Sequence, residues 1–576
     1  MNIFTNYKIK LIDFFKVLEK NKLIKLPEKF DNFSVEIPKI KTHGDLSTNA
    51  PMIFAIFAKE NNQSPVELAA IIKKHLDSKF KEIIKIEVAK PGFLNFFFNK
   101  DFWYNFLKAT DINFGKSDNF VPKKILIEYV SANPTGPLHV GHCRGAVFGD
   151  ILANLLSFVG NKVVKEYYIN DYGNQINQFV KSVYYRILEI KNKTLFPEDQ
   201  DLYPGEYVID IAKNILKKNN LSNFENYNLI FNDLKKVCIE EAMNLIKNDL
   251  KQLGIVHNNF VSENDIVNQN LVERALDILK KKNYVYEGIL AKPKGNEVDD
   301  WEPRKQILFQ STKFGDDSDR ALKKSDGTWT YFANDVAYHL NKIDRKFDLL
   351  INVLGADHAG YLKRQSSCVS ALSENQQQMI SKVCQLVKLF KSGNQLKMSK
   401  RAGDFITASD LINEVGKDSV RFMMIYRSND SQLDFDFDLV TDHSKENPVF
   451  YVQYAHARIC SLFRKTKYEI SNEKKLNLSF LNQEIEIDII KKIAEWPKCL
   501  ELSAYHLEPH RVPFYLYELA SLFHTYWNSG NENDNLKILN ENNPEIQSAR
   551  LFLIKKIQLV IKTGLDILNV TAPVEM

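Results

Sequence analysis

The stretch Ser131-Ala132-Asn133-Pro134-Thr135-Gly136-Pro137-Leu138-His139-Val140-Gly141-His142 decides the fold of this chain. An apolar run typical of a β-strand precedes it at residues 125–130, and a helical pattern follows at residues 147–159. A strand, a Pro- and Gly-rich turn and a helix make an anion site, because the first helical turn offers unpaired N–H groups and a positive dipole end. His139 and His142 share one face of that turn and can donate hydrogen bonds to phosphate oxygens. Gly141 lets a flat base approach the backbone closely.

Two histidines three residues apart also allow simpler interpretations. They could be solvated residues at a helix N-cap, or a metal pair completed by Cys143. A metal site needs further ligands at set spacings, and no second Cys/His cluster lies nearby in the sequence. A second motif, later in the chain, favours phosphate binding.

That second motif is Lys397-Met398-Ser399-Lys400-Arg401-Ala402-Gly403-Asp404-Phe405. Three cationic side chains followed by Gly suit a mobile loop, and lysines act as flexible point charges for triphosphate oxygens. Alone, such a segment could be a solvated basic turn. In this order the two motifs resemble the H-I-G-H and K-M-S-K-S signatures of class I aminoacyl-tRNA synthetases. Val140 stands here in place of Ile, and Arg401 in place of the last Ser.

Length and composition indicate a multidomain protein of the cytoplasm. A chain of 576 residues is too long to fold around one hydrophobic core. Its composition, 44% hydrophobic and 26% charged residues, is ordinary for a globular protein. The six cysteines are scattered without a C-x-x-C pair, as expected for reduced thiols rather than a disulfide or zinc framework. No apolar run approaches the roughly 18 residues of a membrane span. The N-terminus lacks the pattern of a signal peptide.

The charge distribution singles out the amino-terminal part. The whole chain has a net charge of +5, whereas residues 1–110 hold 18 Lys, no Arg and 12 acidic residues, a net +6. This module is a candidate contact for a phosphate backbone, although a lysine-rich solvated surface would look the same. Residues 441–576 hold 16 basic and 17 acidic residues, so net charge predicts no RNA contact there.

The pattern predicts a multidomain α/β + α fold with three domains. Residues 1–110 form an additional α+β domain, residues 120–445 a Rossmann-type domain, and residues 447–576 an all-α bundle. A helical insertion of about 174–296 divides the Rossmann-type sheet. Further strands are expected at residues 163–169, 307–312, 348–354 and 385–390. Bundle helices are expected at residues 449–467, 485–496, 512–527 and 546–568.

The resemblance to class I synthetases extends over essentially the whole chain. Several further segments of the sequence resemble the arginyl-tRNA synthetase family in particular. The amino-terminal part carries His43-Gly44-Asp45-Leu46-Ser47-Thr48-Asn49-Ala50, and the strand before the first motif ends Glu128-Tyr129-Val130. Two further segments match, Phe309-Gln310-Ser311-Thr312-Lys313-Phe314-Gly315-Asp316-Asp317 and Ser325-Asp326-Gly327-Thr328-Trp329-Thr330-Tyr331-Phe332. Tyr451-Val452-Gln453-Tyr454-Ala455-His456-Ala457-Arg458 resembles the opening of an anticodon-binding bundle of the DALR type.

This resemblance implies an arginine pocket. A guanidinium calls for a carboxylate in bidentate geometry, and Tyr331 and Asp335 match the family's Y-x-x-x-D pair. Glu128 and Asn133 match the positions that fix the α-amino and carboxylate ends, with Ser131 beside them. As alternatives, Tyr331 could be a core residue, Asp335 a helix cap and Glu128 a partner in a structural ion pair.

The resemblance also implies an ATP site. His139 and His142 match the histidines that contact ATP phosphates, with Pro137 and Gly141 in the same turn. Lys397 and Lys400 match the catalytic lysines that neutralise pyrophosphate, with Met398 and Ser399 between them. Gly355, Asp357 and His358 are expected near the ribose or adenine.

The implied activity is ATP-dependent ligation of L-arginine to the 3′-terminal adenosine of tRNA(Arg) through an arginyl-adenylate. Mg²⁺ would accompany ATP, with no structural metal in the protein, and we expect a cytoplasmic monomer without a membrane partner. Tyr451, Tyr454, His456 and Arg458 are candidate tRNA contacts of the bundle, and residues 1–110 a candidate grip on the tRNA elbow. The pattern leaves open whether the first step needs tRNA.

Two other functions compete with this interpretation. The first is another class I synthetase, of the cysteinyl or glutaminyl type; the missing zinc-ligand Cys pairs and the Tyr331/Asp335 pair argue against these. The second is a catalytically inactive paralogue that binds tRNA, against which the intact His139, His142, Lys397 and Lys400 argue.

Overall fold

The amino-terminal module is an antiparallel sheet packed against helices. The computed structural model describes residues 2–29, 33–38, 40–58, 62–77, 79–116, 121–218, 224–290, 304–396, 406–466, 476–540 and 542–576. The module's elements are α1 (Ile3–Lys20), β1 (Val35–Glu36), β2 (Leu46–Thr48), α2 (Ala50–Phe57), α3 (Pro65–Leu76), β3 (Ile83–Ala89), β4 (Phe93–Phe98) and α4 (Lys100–Ala109). The strand order is β1-β2-β4-β3. A capping box between Ser64 and Glu67 begins α3.

The central domain contains the parallel sheet. Its elements are β5 (Lys124–Glu128), α5 (Val140–Phe158), β6 (Lys162–Ile169), α6 (Asn174–Asn192), α7 (Glu206–Lys218), α8 (Tyr227–Gln252), β7 (Asn259–Ser262), α9 (Glu263–Asn268), α10 (Leu271–Lys281), β8 (Val285–Gly288), β9 (Gln306–Phe309), β10 (Arg320–Lys323), α11 (Tyr331–Asp344), β11 (Leu349–Gly355), α12 (Leu362–Ser373) and β12 (Gln378–Cys384). Five strands pair in parallel in the order β12-β11-β5-β6-β7. Their carboxyl ends therefore meet at one edge, where ligands bind in open α/β sheets.

The two faces of this sheet are covered by different helices. Along β5, Ile125 and Ile127 belong to the apolar cluster that contains α5, whereas Leu126 belongs to the cluster of α10, α11 and α12. This alternation is the period-2 pattern of a strand buried on both faces.

The helical insertion is shorter than the expected 174–296. Helices α6, α7 and α8 form it, with an apolar core of their own, and they end at Gln252. The next strand, β7, already belongs to the parallel sheet, and β8 lies in a separate antiparallel sheet of order β10-β9-β8. The strand expected at residues 307–312 is β9 in that small sheet, not a strand of the parallel one.

A small mixed sheet links the central domain to the bundle. It contains β13 (Val387–Lys391) and β14 (Asn394–Gln395), and after α13 (Ala408–Val415) and α14 (Lys417–Ile425) the strand β15 (Leu433–Asp436), followed by α15 (Phe437–Thr441). The strand expected at residues 385–390 is thus β13, while the parallel sheet ends with β12. The bundle follows with α16 (Pro448–Thr466), α17 (Glu484–Ala494), α18 (Trp496–His506), α19 (Arg511–Glu532) and α20 (Pro544–Leu568).

The end modules pack on each other and on the central domain. One apolar cluster runs from the amino-terminal module through α5 into the bundle. Tyr104 Oη donates to the Leu481 carbonyl at 2.9 Å, and the buried Lys556 Nζ donates to the Thr110 carbonyl at 2.7 Å. Among the described residues, no helix combines the length and apolarity needed to cross a membrane.

Candidate active site

The turn after β5 leaves the sheet in a constrained conformation. Val130 and Ser131 adopt φ values of 71° and 40°, which is unusual for side chains with a Cβ and is often found at active sites. Hydrogen bonds hold it in place, since Ser131 Oγ donates to Glu128 Oε1 at 3.0 Å and accepts from the Tyr168 N–H at 3.0 Å.

The two histidines of the first motif are fixed against each other at the start of α5. His139 is the N-cap residue, and its Nδ1 accepts from the Gly141 N–H at 3.1 Å, while His142 Nδ1 accepts from the His139 N–H at 3.3 Å. The rings stack with centroids 3.8 Å apart. With Nδ1 as acceptor, a neutral ring carries its proton on Nε2 and is a hydrogen-bond donor there; the Nε2 of His139 is buried. A Cβ at Gly141 would approach the His139 ring to 2.8 Å, so glycine permits this arrangement.

The geometry does not favour a metal pair completed by Cys143. This thiol is fully buried, and burial raises its pKa to about 12, whereas a metal binds the thiolate. Within the described part of the chain, no group of three or more His, Cys, Asp or Glu side chains could hold a metal ion.

The chain that follows the second motif is joined to the first. The second motif, residues 397–405, lies outside the described residues, and with it the candidates Lys397, Met398, Ser399 and Lys400. Directly after this segment, the Ile406 carbonyl accepts from the Val140 N–H at 3.1 Å, and the Ala408 N–H donates to the Leu138 carbonyl at 2.8 Å. His139 and Thr407 form an antiparallel bridge. Residues 406–408 are thereby paired with residues 138–140 of the first motif.

Tyr331 and Asp335 lie on the first turns of α11, which Thr330 caps. Tyr331 is 72% exposed, so it is not a core residue, and Asp335 is not a helix cap. Burial, and then the charge of Glu128, raise the pKa of Asp335 to about 6. Glu128 therefore lies near Asp335, at the end of the neighbouring β5.

Glu128 does form the ion pair that the sequence allowed as an alternative. Its partner is Lys342, a fully buried side chain of α11 that also donates to Asn352 Oδ1 at 2.9 Å. Glu128 and Asn352 occupy paired positions of β5 and β11. The charge of Glu128 is thus balanced by Lys342, whereas the Asp335 side chain is partly exposed.

Three further residues belong to this pocket and were missed from the sequence. Burial raises the pKa of Tyr168 well above its usual range, and the charges of Glu263, Asp335, Glu128 and Asp171 add to the effect. Burial also raises the pKa of Glu263 to about 7, and Asn334 Nδ2 donates to its Oε1 at 2.9 Å. Gln365 hydrogen-bonds Asp335 from α12. Four carboxyl groups therefore lie together, those of Glu128, Asp171, Glu263 and Asp335, and the cations near them are Lys342, Arg364 and Lys235. Because Lys342 is already paired with Glu128, such a site can hold a cationic ligand. In the sequence, Tyr168 is one aromatic residue of a strand and Glu263 one Glu at the start of a helix, and neither pattern indicates a role in ligand binding.

The insertion forms the rim of the pocket. Asn133 Nδ2 donates to Gln175 Oε1 on α6 at 2.6 Å. Gly173, just before α6, lies so close to Tyr331 that a Cβ there would be 3.4 Å from its ring. Asn133 and Tyr331 therefore both lie next to the start of the insertion helix α6.

Gly355, Asp357 and His358 lie at the same edge of the sheet. Gly355 ends β11, the strand next to β5, and a Cβ there would approach Asp357 Oδ1 to 2.6 Å. The Asp357 and His358 side chains are exposed, with Oδ2 and Nε2 3.6 Å apart. Pro137 lies in the first-motif turn, partly exposed. Gly355 and the first-motif turn thus follow adjacent strands, β11 and β5, whereas Tyr331 and Asp335 lie on α11.

A row of stacked rings covers one face of the bundle. Tyr454 stacks on Phe450 with centroids 5.6 Å apart, and His443 stacks on the other side of Phe450 at 5.1 Å. The Arg458 guanidinium lies 4.4 Å from the Tyr454 ring and 5.1 Å from that of Trp527. Tyr451 lies nearby, 4.4 Å from the His524 ring.

His456 does not belong to this face. It is only 3% exposed, and its Nδ1 donates to the Pro573 carbonyl of the carboxyl-terminal tail at 2.8 Å. Burial lowers its pKa, so the neutral ring is favoured. The structure therefore places this candidate in the protein interior, and it drops out of the set of possible base contacts.

Comparison with known proteins agrees with this geometry. Residues 111–437 match the family model described as tRNA synthetases class I (R), catalytic domain, which confirms the class that the strand–turn–helix motif predicts. Residues 16–98 match the Arginyl tRNA synthetase N terminal domain, and residues 452–576 the DALR anticodon binding domain.

Full-length relatives define the particular family. The chain is 50% identical to an arginine–tRNA ligase from Pelagibacter ubique and 44% identical to one from Ehrlichia chaffeensis, with 100% of both chains covered in each case. The solved arginyl-tRNA synthetase of Thermus thermophilus has the same fold, with a TM-score of 0.70 at 18% identity over 97% of this chain and 98% of that one. This chain belongs to the arginyl-tRNA synthetase family. Neither a different amino-acid specificity nor an inactive paralogue finds support among these relatives.

Proposed function

We propose that this protein attaches L-arginine to the 3′-terminal adenosine of tRNA(Arg) in two steps. The arginine carboxylate attacks the α-phosphorus of ATP and releases pyrophosphate, and the adenosine hydroxyl of the tRNA then takes the arginyl group from the adenylate. The observation that carries this proposal is a pair of features, the partly exposed Asp335 carboxylate near Glu128 at the end of β5 and the stacked histidines of the first motif in the turn that follows β5. Arginine is a cation that fits the first, and ATP an anion that fits the second.

Five residues are proposed to bind arginine. Asp335 and Tyr331 face the guanidinium, with Asp335 in bidentate contact and the Tyr331 hydroxyl beside it. Glu128, Ser131 and Asn133 fix the α-amino and carboxylate ends. Support comes from the hydrogen bond of Ser131 to Glu128, which holds this part of the turn in one conformation.

The ATP site is proposed to work by positioning and charge. His139 and His142 donate from Nε2 to the phosphates, and Pro137 and Gly141 leave room for the nucleotide next to the helix start. Gly355, Asp357 and His358 contact the ribose and adenine. The segment Lys397, Met398, Ser399 and Lys400 neutralises the pyrophosphate as it leaves. Mg²⁺ would accompany ATP, held mainly by phosphates and water, and would supply charge withdrawal from the phosphate oxygens.

The two end modules are proposed to bind different parts of the tRNA. The ring face of Tyr451, Tyr454 and Arg458 suits unstacked anticodon bases, which bind aromatic and guanidinium planes. The lysine-rich residues 1–110 suit the phosphates of the tRNA elbow. We further propose that the protein acts as a monomer in the cytoplasm; the six free cysteines fit a reducing compartment.

The proposal is tested by acylation of tRNA with each labelled amino acid in turn. Arginine alone should become attached, and only to tRNA that accepts arginine. His142→Ala should lose most of this activity, because one phosphate contact is removed. Attachment of lysine or glutamine at a comparable rate would contradict the proposal, as would a fully active His142→Ala variant.

A further inference from the structure

Asp249 lies where the insertion meets the first motif. It is near the end of α8, only 5% exposed, and its two carboxylate oxygens make two different hydrogen bonds. Oδ2 accepts from the Leu138 N–H at 2.8 Å, and Oδ1 accepts from Ser409 Oγ at 2.8 Å. One side chain therefore connects the turn before α5 with the first turn of α13.

These two contacts are made to two chain segments that pair with each other through residues 138–140 and residues 406–408, and this pairing is called the backbone join. Leu138 directly precedes the N-cap His139, and its carbonyl accepts from the N–H of Ala408, the residue before Ser409. Asp249 thus fixes both chains of the join at once. His139 Nδ1 accepts from the Gly141 N–H and His142 Nδ1 accepts from the His139 N–H, so a shift of Leu138 and its neighbour His139 would move both rings.

The insertion also holds the rest of the turn. The Tyr207 ring packs so closely on Gly136 that a Cβ there would be 2.9 Å from it, and the Tyr203 hydroxyl hydrogen-bonds Thr135. Contacts from α8, from α7 and from the segment before α7 therefore support the motif over several consecutive residues. The insertion acts on the turn as a rigid support with its own core.

Burying a carboxylate at this position costs free energy, so its presence indicates a function. Both of its hydrogen bonds come from uncharged donors, and Asp410 on α13 adds a like charge nearby. Burial is the main cause that raises the pKa of Asp249. An apolar residue would pack here at lower cost, but it could not hold Leu138 and Ser409 together.

We propose that Asp249 is a positioning residue for the activation of the amino acid. It does not touch ATP; it holds the His139 turn and the chain that leaves the second motif in the arrangement that the phosphates require. This inference rests on the proposed function and extends it to a residue of the insertion. Its loss should slow formation of the adenylate, while the arginine pocket, built from β5, β6 and α11, stays intact.

Three variants and a control separate this role from general stability. Asp249→Ala removes both hydrogen bonds, Ser409→Ala removes one, and Asp249→Asn can keep both, through its oxygen to Leu138 and its amide N–H to the Ser409 oxygen. Asp233→Ala removes an exposed carboxylate from the same helix and serves as the control. All four are compared with the wild type in single-turnover adenylate formation with tRNA present, in arginine titrations and in thermal unfolding.

We expect Asp249→Ala to lower the single-turnover rate by roughly 100-fold, as for a small misplacement of reacting groups. Arginine affinity should be unchanged, Ser409→Ala should be intermediate, and Asp249→Asn and Asp233→Ala should resemble the wild type. A wild-type rate for Asp249→Ala would overturn the inference. So would an equal loss in Asp249→Asn, since geometry would then not matter, or a parallel loss of arginine binding and stability. A wild type without arginine-dependent adenylation would overturn the proposed function instead.

Discussion

Asp335→Asn removes one negative charge from the arginine pocket and leaves the shape of the side chain nearly unchanged. Loss of one partner from a desolvated charge pair costs about 2–5 kcal/mol. The Asp335 side chain is 24% exposed, so water screens it in part and the lower half of that range applies. Glu128 cannot compensate, because Lys342 already balances its charge. Arginine binding should therefore weaken by about 2–3 kcal/mol, or about 30- to 150-fold in Kd.

Calorimetric titration of arginine and of ATP into the same preparations measures this directly. The ATP affinity of Asp335→Asn should equal that of the wild type, because the histidine turn is held by other contacts. Asp344→Asn is the matched control: Asp344 is exposed on the same helix and pairs with Arg274. If Asp335→Asn lost ATP and arginine affinity alike, Asp335 would be structural. If it lost neither, the guanidinium would bind elsewhere.

Three other outcomes follow from the same geometry. Because the pKa of Asp335 is raised to about 6 and binding needs its charged form, arginine affinity should fall as pH drops through about 6, by roughly tenfold per pH unit below it; a flat wild-type profile would contradict this. Asp335→Asn should remove this component and leave only the one that Glu263, with a pKa of about 7, contributes. Lys400→Ala should cost about 2–4 kcal/mol in the single-turnover rate of adenylate formation, since pyrophosphate charge builds towards the transition state, and an unchanged rate would remove Lys400 from this role. Tyr454→Ala should weaken binding of an anticodon stem-loop by about 1–3 kcal/mol without slowing adenylation, whereas Tyr505→Ala, an exposed tyrosine elsewhere on the bundle, should change neither.

The parts of the fold with strong local signals were predictable from sequence. The apolar run before the first motif became β5, and the long helical patterns became α16, α19 and α20, with ends within a few residues of those expected. The two edge strands of the parallel sheet, β7 and β12, were missed. Edge strands are partly exposed, so Gln378–Cys384 mixes polar and apolar residues, without strict alternation and without the continuous apolar run of a central strand.

The site was predictable where its residues are close in sequence. The first-motif histidines three residues apart, and the Tyr331/Asp335 pair four apart, share helix faces that spacing alone indicates. The Glu128–Lys342 ion pair joins residues of different elements 214 positions apart, and no local pattern reveals it. Asp249 resembles any charged residue of an amphipathic helix until the fold brings Leu138 and Ser409 to it. His456 was misplaced because its partner, the Pro573 carbonyl, comes from the far end of the chain.

Amino-acid-dependent ATP–pyrophosphate exchange, with tRNA present, tests the central claim that this sheet edge activates arginine. The pocket around Asp335 predicts that arginine supports exchange, and that lysine and glutamine do so at least about 100-fold less efficiently, because an ammonium or a neutral amide cannot replace a bidentate guanidinium. Exchange driven equally well by lysine or by glutamine, or none with arginine, would contradict the account.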